Sequence, residues 1–249
     1  MWMLIHGFTG SPRSWDEVVA RAGLHQEPLL PTLLGHGSGW QHAKTRAFED
    51  EVSRLTSLAS GLERPRLVCG YSMGARIALG MLASHSDLWD GAVLIGVHPG
   101  LADEAARAER RDVDSARMDL LKNEGLEAFV DAWEALPLFD TQQRISREAS
   151  AKQRELRLRH DADGLARALE VLGLAEMPDY GPALSSIPVP ITLMAGACDS
   201  RFSSVALTFA EASVHIDAVL VEGVGHNVVI EAPAAVAAAL SRIEDRVGT

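Results

Sequence analysis

Lysine is nearly missing from this chain: of 23 basic residues only Lys44, Lys122 and Lys152 are lysines, against 34 acidic residues and a net charge of −11. Nucleic-acid binding needs clustered lysine and arginine to displace counterions from phosphates, so this balance argues against such a partner. Cysteine is equally sparse. Cys69 and Cys198 stand alone near the ends of apolar runs, which makes no disulfide framework and suits a reduced, cytoplasmic setting. No apolar stretch reaches the ~18 residues that span a bilayer. Met1-Trp2-Met3-Leu4-Ile5 has no basic segment and is too short for a signal peptide. A G-K-[ST] phosphate loop and an H-E-x-x-H metal helix are also lacking, so neither cofactor nor metal is expected. Gly35-His36-Gly37-Ser38-Gly39 has the outline of a dinucleotide loop. Its spacing is wrong and no helix opens on it, so it reads as a turn.

What is present is an alternation of short apolar runs with helical patterns over 249 residues, 47% of them hydrophobic. Trp2–Ile5, Pro28–Leu30, Leu67–Cys69, Ala92–Ile95, Ile191–Ala195 and Ala218–Val221 read as strands buried on both faces. Between them, amphipathic stretches near Ser14–Arg21, Ala47–Ser60, Ala75–Ser84, Ser203–Ala212 and Pro233–Asp245 read as helices. Such alternation predicts an α/β fold with a mostly parallel sheet, its chemistry gathered at the carboxyl ends of the strands. From about Pro99 to Ser186 no strand pattern occurs, only polar helical stretches such as Asp103–Leu121, Leu126–Ala135, Ser146–Arg159 and Gly164–Leu172. The expected organisation is a core of residues 1–97 and 187–249 with a helical cap, 98–186. Peripheral helices without contact to the site are the plainer alternative.

Gly70-Tyr71-Ser72-Met73-Gly74 follows the run Leu67–Cys69 and opens a helical pattern. A G-x-S-x-G at a strand-to-helix junction is the sequence form of a nucleophile elbow, with the serine at the tip of a sharp turn. A serine hydroxyl needs a histidine to take its proton and an acid to orient that histidine. Asp199 follows the run Ile191–Ala195 and His226 the run Ala218–Val221, so Ser72, Asp199 and His226 would project from one sheet edge in the required order. Taken singly, Ser72 or Asp199 would serve as a helix N-cap, and His226 as a surface side chain. Asp217 is the fallback acid, but it precedes its strand. Two backbone N–H groups should hold developing negative charge: Met73, next after the serine, and Phe8, in the loop His6-Gly7-Phe8-Thr9-Gly10.

His6-Gly7-Phe8, Leu34-Gly35-His36-Gly37-Ser38, the elbow, Asp199 and Gly225-His226 together resemble the α/β-hydrolase superfamily. Many members carry two further strands before the His-Gly loop, so a shortened sheet of about six strands is expected. A narrower resemblance rests on six stretches: Gly96-Val97-His98-Pro99-Gly100-Leu101 with Arg107-Ala108-Glu109-Arg110, Gly70 to Arg76, Ala128-Phe129-Val130-Asp131-Ala132-Trp133, Cys198-Asp199-Ser200-Arg201-Phe202, and Gly225-His226-Asn227. They are similar to the 2-succinyl-6-hydroxy-2,4-cyclohexadiene-1-carboxylate synthases of menaquinone biosynthesis. That resemblance implies a lyase in which the serine is a base and pyruvate is eliminated from a small polycarboxylate. It also implies that Arg76, Arg110 and Arg159 clamp carboxylates while Tyr71 and Trp133 line the pocket. Arg117 and Arg157 are expected to be solvated. His98 is either a ligand contact or a buried loop histidine. A carboxylesterase or thioesterase working through an acyl-enzyme is the rival reading, because the same three residues serve both chemistries.

Overall fold

Five apolar segments pair side by side in chain order and all in parallel: β1 (Trp2–Ile5), β2 (Leu67–Tyr71), β3 (Gly91–Ile95), β4 (Ile191–Gly196) and β5 (Ile216–Val221). The computed structural model describes residues 1–42 and 44–248, His42 by its backbone alone. The register sets Ile5 against Gly70, Tyr71 against Ile95, and Gly196 against Val221. The loops that carry Phe8, Ser72, Asp199 and His226 therefore leave from one edge of the sheet.

The expected sixth strand, Pro28–Leu30, is reduced to a single bridge between Met3 and Leu29. Leu4 N–H donates to the Leu29 carbonyl and Leu29 N–H to that of Trp2, both at 2.9 Å. Pro28 and Pro31 flank that residue and have no N–H to extend the ladder, which leaves five strands.

Alternate residues of each strand serve opposite layers. On one face Met3, Ile5, Val68, Ala92, Leu94, Ile191 and Leu193 pack under α2 (Phe48–Ala59), α3 (Met73–Ser84) and the later helix over Ser200–Ala212. On the other, Trp2, Leu4, Leu67, Cys69, Val93 and Ile95 pack under α1 (Asp16–Ala22) and the last helix, Pro233–Val247. Between β3 and β4 come α4 (Glu104–Asn123), α5 (Gly125–Glu134), α6 (Arg147–Arg157), α7 (Ala162–Leu172) and the single turn α8 (Gly181–Leu184). Ser146 and Asp161 cap α6 and α7, accepting from Ala149 N–H at 3.1 Å and Gly164 N–H at 2.8 Å. These helices have a small core of their own, Leu121, Phe129, Val130, Leu165 and Leu169, which meets the rest of the molecule at Phe8. No helix among the described residues is long and apolar enough to cross a membrane.

Glu51 of α2 is fully buried and ties the loop after Leu29 to the core. One oxygen accepts from Leu34 N–H at 2.9 Å and from Arg54 Nη2 at 2.7 Å, while Arg54 also donates to the Thr32 carbonyl at 2.9 Å. Glu51→Ala strands a buried N–H and an arginine, and is expected to cost about 3 kcal/mol. Urea denaturation checks this: a lower midpoint at constant slope is predicted, and an unchanged midpoint would mean the loop is held by other contacts.

Candidate active site

Ser72 has φ +51° and ψ −108°, in the region that side chains rarely occupy. Such a residue carries about 1–3 kcal/mol of strain and persists where neighbours fix it. Ser72 N–H donates to the Ile95 carbonyl at 2.8 Å. A Cβ on Gly70 would lie 2.4 Å from the Gly74 carbonyl oxygen, and one on Gly74 2.2 Å from that of Ile5. Both glycines of the pentapeptide are therefore required by close backbone approach. Ser72 occupies the N-cap position of α3, but its side chain makes no capping bond. Its Oγ lies 3.0 Å from Nε2 of His226, whose Nδ1 lies 2.8 Å from Oδ2 of Asp199.

Asp199 makes both of the contacts weighed for it. Oδ2 takes the histidine, while Oδ1 accepts from Phe202 N–H at 3.4 Å and caps α9 (Ser200–Ala212). The His226 ring is packed between Phe202 and Tyr71, at centroid distances of 4.6 and 5.4 Å. Its loop is held by Glu231, a residue with no sequence signal, which accepts from Gly225 N–H at 3.0 Å. Asp217 lies at the opposite end of β5, exposed and paired with Arg246. With Nδ1–H given to Asp199, Nε2 of His226 presents a lone pair to the Ser72 hydroxyl, an arrangement able to draw off its proton.

Met73 and Phe8 line the same cavity as this serine. Met73 is the first residue of α3, so no carbonyl one turn earlier takes its N–H. Phe8 lies in a tight turn closed by Gly10 N–H on the Gly7 carbonyl at 3.0 Å. Histidines brace that turn from below. His6 Nδ1 lies 2.8 Å from the Gly7 carbonyl and Nε2 accepts from Leu33 N–H at 3.3 Å. His36 accepts from Thr9 N–H at 3.1 Å through Nε2, and its Nδ1 lies 2.9 Å from the Leu34 carbonyl. Burial lowers the pKa of His6 to about 4 and that of His36 well below the usual value. With every ring nitrogen engaged by backbone, this pair is a neutral brace with no lone pair left for a metal.

A cavity of about 760 Å³ opens over Ser72, and Phe8, Met73, His98, Trp133 and Phe139 are among the residues that line it. Arg76, one turn beyond Ser72, is only 7% exposed and donates to the Leu172 carbonyl at 2.9 Å. Burial, together with the nearby Arg110 guanidinium, pulls its pKa down to about 9, a sign of poorly compensated charge. Arg110 and Arg117 share one carboxylate: Asp114 accepts from their Nε and Nη1 at 2.7 and 2.9 Å. Arg117 lies over the Trp133 ring at 5.1 Å. Burial, with Arg201, Arg76 and Arg110 nearby, lowers the His98 pKa to about 4, so that ring faces the cavity neutral. Burial pushes the Tyr71 phenol up, which keeps it protonated.

Arg159 is a correction. It is exposed, pairs with Glu155 and lies outside the cavity lining, whereas Arg157 is 4% exposed and lines the cavity. Arg157 donates to Glu134 at 2.8 Å and lies over the Phe139 ring at 5.5 Å. Helix α6 ends at Arg157, two residues short of the expected stretch. Residues two apart on a helix differ by roughly 200°, so both arginines could not have faced one cavity. Arg117 is the second correction, since it lines the cavity rather than the solvated face. The spacing of Arg110, Asp114 and Arg117, four and then three residues, carries that signal. Arg201, over the Phe202 ring at 5.8 Å, also lines the cavity, as do Arg13, Arg21, Arg144 and Lys152.

A model of the Alpha/beta hydrolase family matches residues 3–239. Over 246 residues the chain is 34% identical to the 2-succinyl-6-hydroxy-2,4-cyclohexadiene-1-carboxylate synthase of Enterobacter sp. (strain 638), covering 97% of this chain and 91% of that protein. The structure of MenH from S. aureus matches with a TM-score of 0.90 at 26% identity, over 100% of this chain and 94% of that one. A thermophilic esterase from Thermogutta terrifontis matches in fold alone, with a TM-score of 0.84 at 22% identity, over 100% and 90% of the two chains.

The buried histidines set a pH dependence. His6 and His36 are held neutral when folded, while an unfolded histidine titrates near pH ~6.5. As pH falls from about 6.5 towards about 4, the unfolded chain binds protons that the folded chain excludes. Stability is therefore complete above pH ~6.5 and declines below it, by up to about 1.4 kcal/mol per pH unit for each histidine. Urea midpoints at about pH 7 and about pH 5 measure the difference. A lower midpoint at the acid value is expected, and equal midpoints would contradict burial of neutral rings.

Proposed function

The chain belongs to the alpha/beta hydrolase family, and on that premise we propose that it is a lyase that releases pyruvate from 2-succinyl-5-enolpyruvyl-6-hydroxy-3-cyclohexene-1-carboxylate. The product is 2-succinyl-6-hydroxy-2,4-cyclohexadiene-1-carboxylate, the compound named for its relative in Enterobacter sp. (strain 638). This is a step of menaquinone biosynthesis on a soluble metabolite, in keeping with a cytoplasmic enzyme. The observation that supports the reading most is the buried, poorly compensated guanidinium of Arg76 beside Ser72, with Arg110, Arg117 and Arg157 around the same cavity. A substrate with three carboxylates supplies the missing counter-charge, and a planar guanidinium pairs with each in a fixed orientation. Residues 98–186 act on this reading as a cap over the core of 1–97 and 187–249, supplying all of these arginines except Arg76. Tyr71 and Trp133 flank the ring of the substrate.

The substrate has its ring double bond at position 3 and the product at positions 2 and 4. The ring carbon at position 2, beside the succinyl carbonyl, therefore loses a proton, and the carbon at position 5 loses the enolpyruvyl oxygen. Ser72 gives its proton to His226 and takes the ring proton. The electron pair moves through the ring, the carbon–oxygen bond at position 5 breaks, and pyruvate leaves as its enolate, which is then protonated. Asp199 steadies the imidazolium formed on His226. Charge builds on the succinyl carbonyl oxygen as the proton departs, and the Phe8 and Met73 N–H groups meet it there. That carbonyl is a ketone with carbon on both sides, so attack by Ser72 would have no group to expel. Such a substrate directs the serine towards proton transfer. Ester or thioester hydrolysis through an acyl-enzyme uses the same relay, but a neutral ester leaves the cavity arginines without partners.

Pyruvate release by the purified protein tests this reading. Ser72→Ala should lose about three orders of magnitude or more in rate while keeping its fold. A rate near that of the wild type, or wild-type protein that hydrolyses a nitrophenyl ester but releases no pyruvate, would overturn it. The arginines separate further. Arg157→Ala should raise KM by about tenfold or more, the cost of one charge-assisted pair. Arg159→Ala should stay within about twofold of wild type, because an exposed ion pair contributes little. Equal effects at the two positions would remove Arg157 from the binding set.

A further inference from the structure

Thr9 is fixed more firmly than a turn residue needs. It is 3% exposed, and its φ of +61° is rare for a β-branched side chain. Two imidazoles grip it from different parts of the chain. Its N–H donates to His36, and its carbonyl lies 3.1 Å from Nε2 of His160, which is 151 residues away in the turn between α6 and α7. Gly37 N–H donates to Nδ1 of His160 at 3.2 Å, so the His160 proton must lie on Nε2, where it donates to Thr9. The two rings meet edge to face at 5.2 Å, and burial lowers the pKa of His160, which keeps it neutral. On the other side of Phe8, the Gly7 carbonyl is pinned by Gly10 N–H and His6. The Thr9 carbonyl and the Gly10 N–H belong to one planar peptide unit, and the Gly7 carbonyl and the Phe8 N–H to another, so the Gly10–Gly7 bond connects the His160 contact to the direction of the Phe8 N–H.

We propose that His160 is a positioning residue: through the Thr9 carbonyl it sets the direction of the Phe8 N–H, so this donor is aligned only while the α6–α7 turn is seated on the core. The proposal rests on the function assigned above for the role of Phe8. His160 N–H also donates to the Arg157 carbonyl at 3.3 Å. One short segment thus carries both a cavity guanidinium and the grip on the donor loop. A carboxylate drawn to Arg157 holds that segment down, and through His160 it holds the donor in line. Substrate binding energy is converted in this way into alignment at the reacting end, where it speeds the chemical step.

His160→Ala and His160→Gln test the proposal with two readouts. The first is the second-order rate of Ser72 labelling by a fluorophosphonate, whose phosphoryl oxygen sits where the donors point and which needs no substrate. The second is kcat and KM for pyruvate release. His160→Ala should slow labelling by about tenfold to a hundredfold, less than outright loss of a donor, and should lower kcat with KM within about twofold. His160→Gln, whose amide still donates to the Thr9 carbonyl, should recover most of both. Labelling of His160→Ala at the wild-type rate, or equal losses in both variants with a raised KM, would overturn it. Wild-type protein that is labelled at Ser72 but releases no pyruvate would defeat the lyase reading alone, and the labelling rates would still decide for or against His160.

Discussion

The contact on which the site depends is the approach of Gly74 to the carbonyls of Ile5 and His6, so close that a methyl group there would lie 2.2 and 2.5 Å from the two oxygens. It brings the first turn of α3 against the end of β1. Ser72 and Met73 come from one element and the Phe8 turn from the other, so this approach sets all three at one cavity. Ser72, two residues before Gly74, has a strained backbone, and its bond to the Ile95 carbonyl helps to fix it.

Charge is the second constraint. A chain with a net charge of −11 gathers a local excess of arginine around this cavity, which on the proposed function holds the substrate anions. Among the described residues those arginines are kept in place by few acids: Asp114 takes two of them, Glu134 takes Arg157, and Arg76 is bonded to a carbonyl. Full pairing would have neutralised the cavity. Partial pairing orders the guanidinium groups and leaves their field open to a ligand, which in a buried setting is far stronger than in water. Aromatic faces at Trp133 and Phe139 add orientation without adding negative charge.

Much of this was legible in the sequence, and the parts that were not share a reason. The strands are runs of apolar residues buried on both faces, and such runs announce themselves. The serine, acid and histidine each follow a run, so their shared edge could be inferred from chain order. Pro28–Leu30 had the composition of a strand, but the prolines around Leu29 allow only a bridge. Arg157 and Arg159 differ only in the face they take, which depends on where α6 stops. Glu231 and His160 act on backbone groups, and the Thr9 partner of His160 is 151 residues away. A contact between a side chain and a distant carbonyl leaves no pattern in residue types.

On the proposed function the serine relay removes a proton from carbon and forms no acyl-enzyme. The direct measurement is kcat/KM for pyruvate release from substrate deuterated at the ring carbon beside the succinyl carbonyl, against unlabelled substrate. Proton removal from carbon gives a normal primary isotope effect, with no covalent adduct on Ser72 in the intact-protein mass during turnover. Equal rates for the two substrates together with an adduct on Ser72 would contradict it and return the site to hydrolytic chemistry.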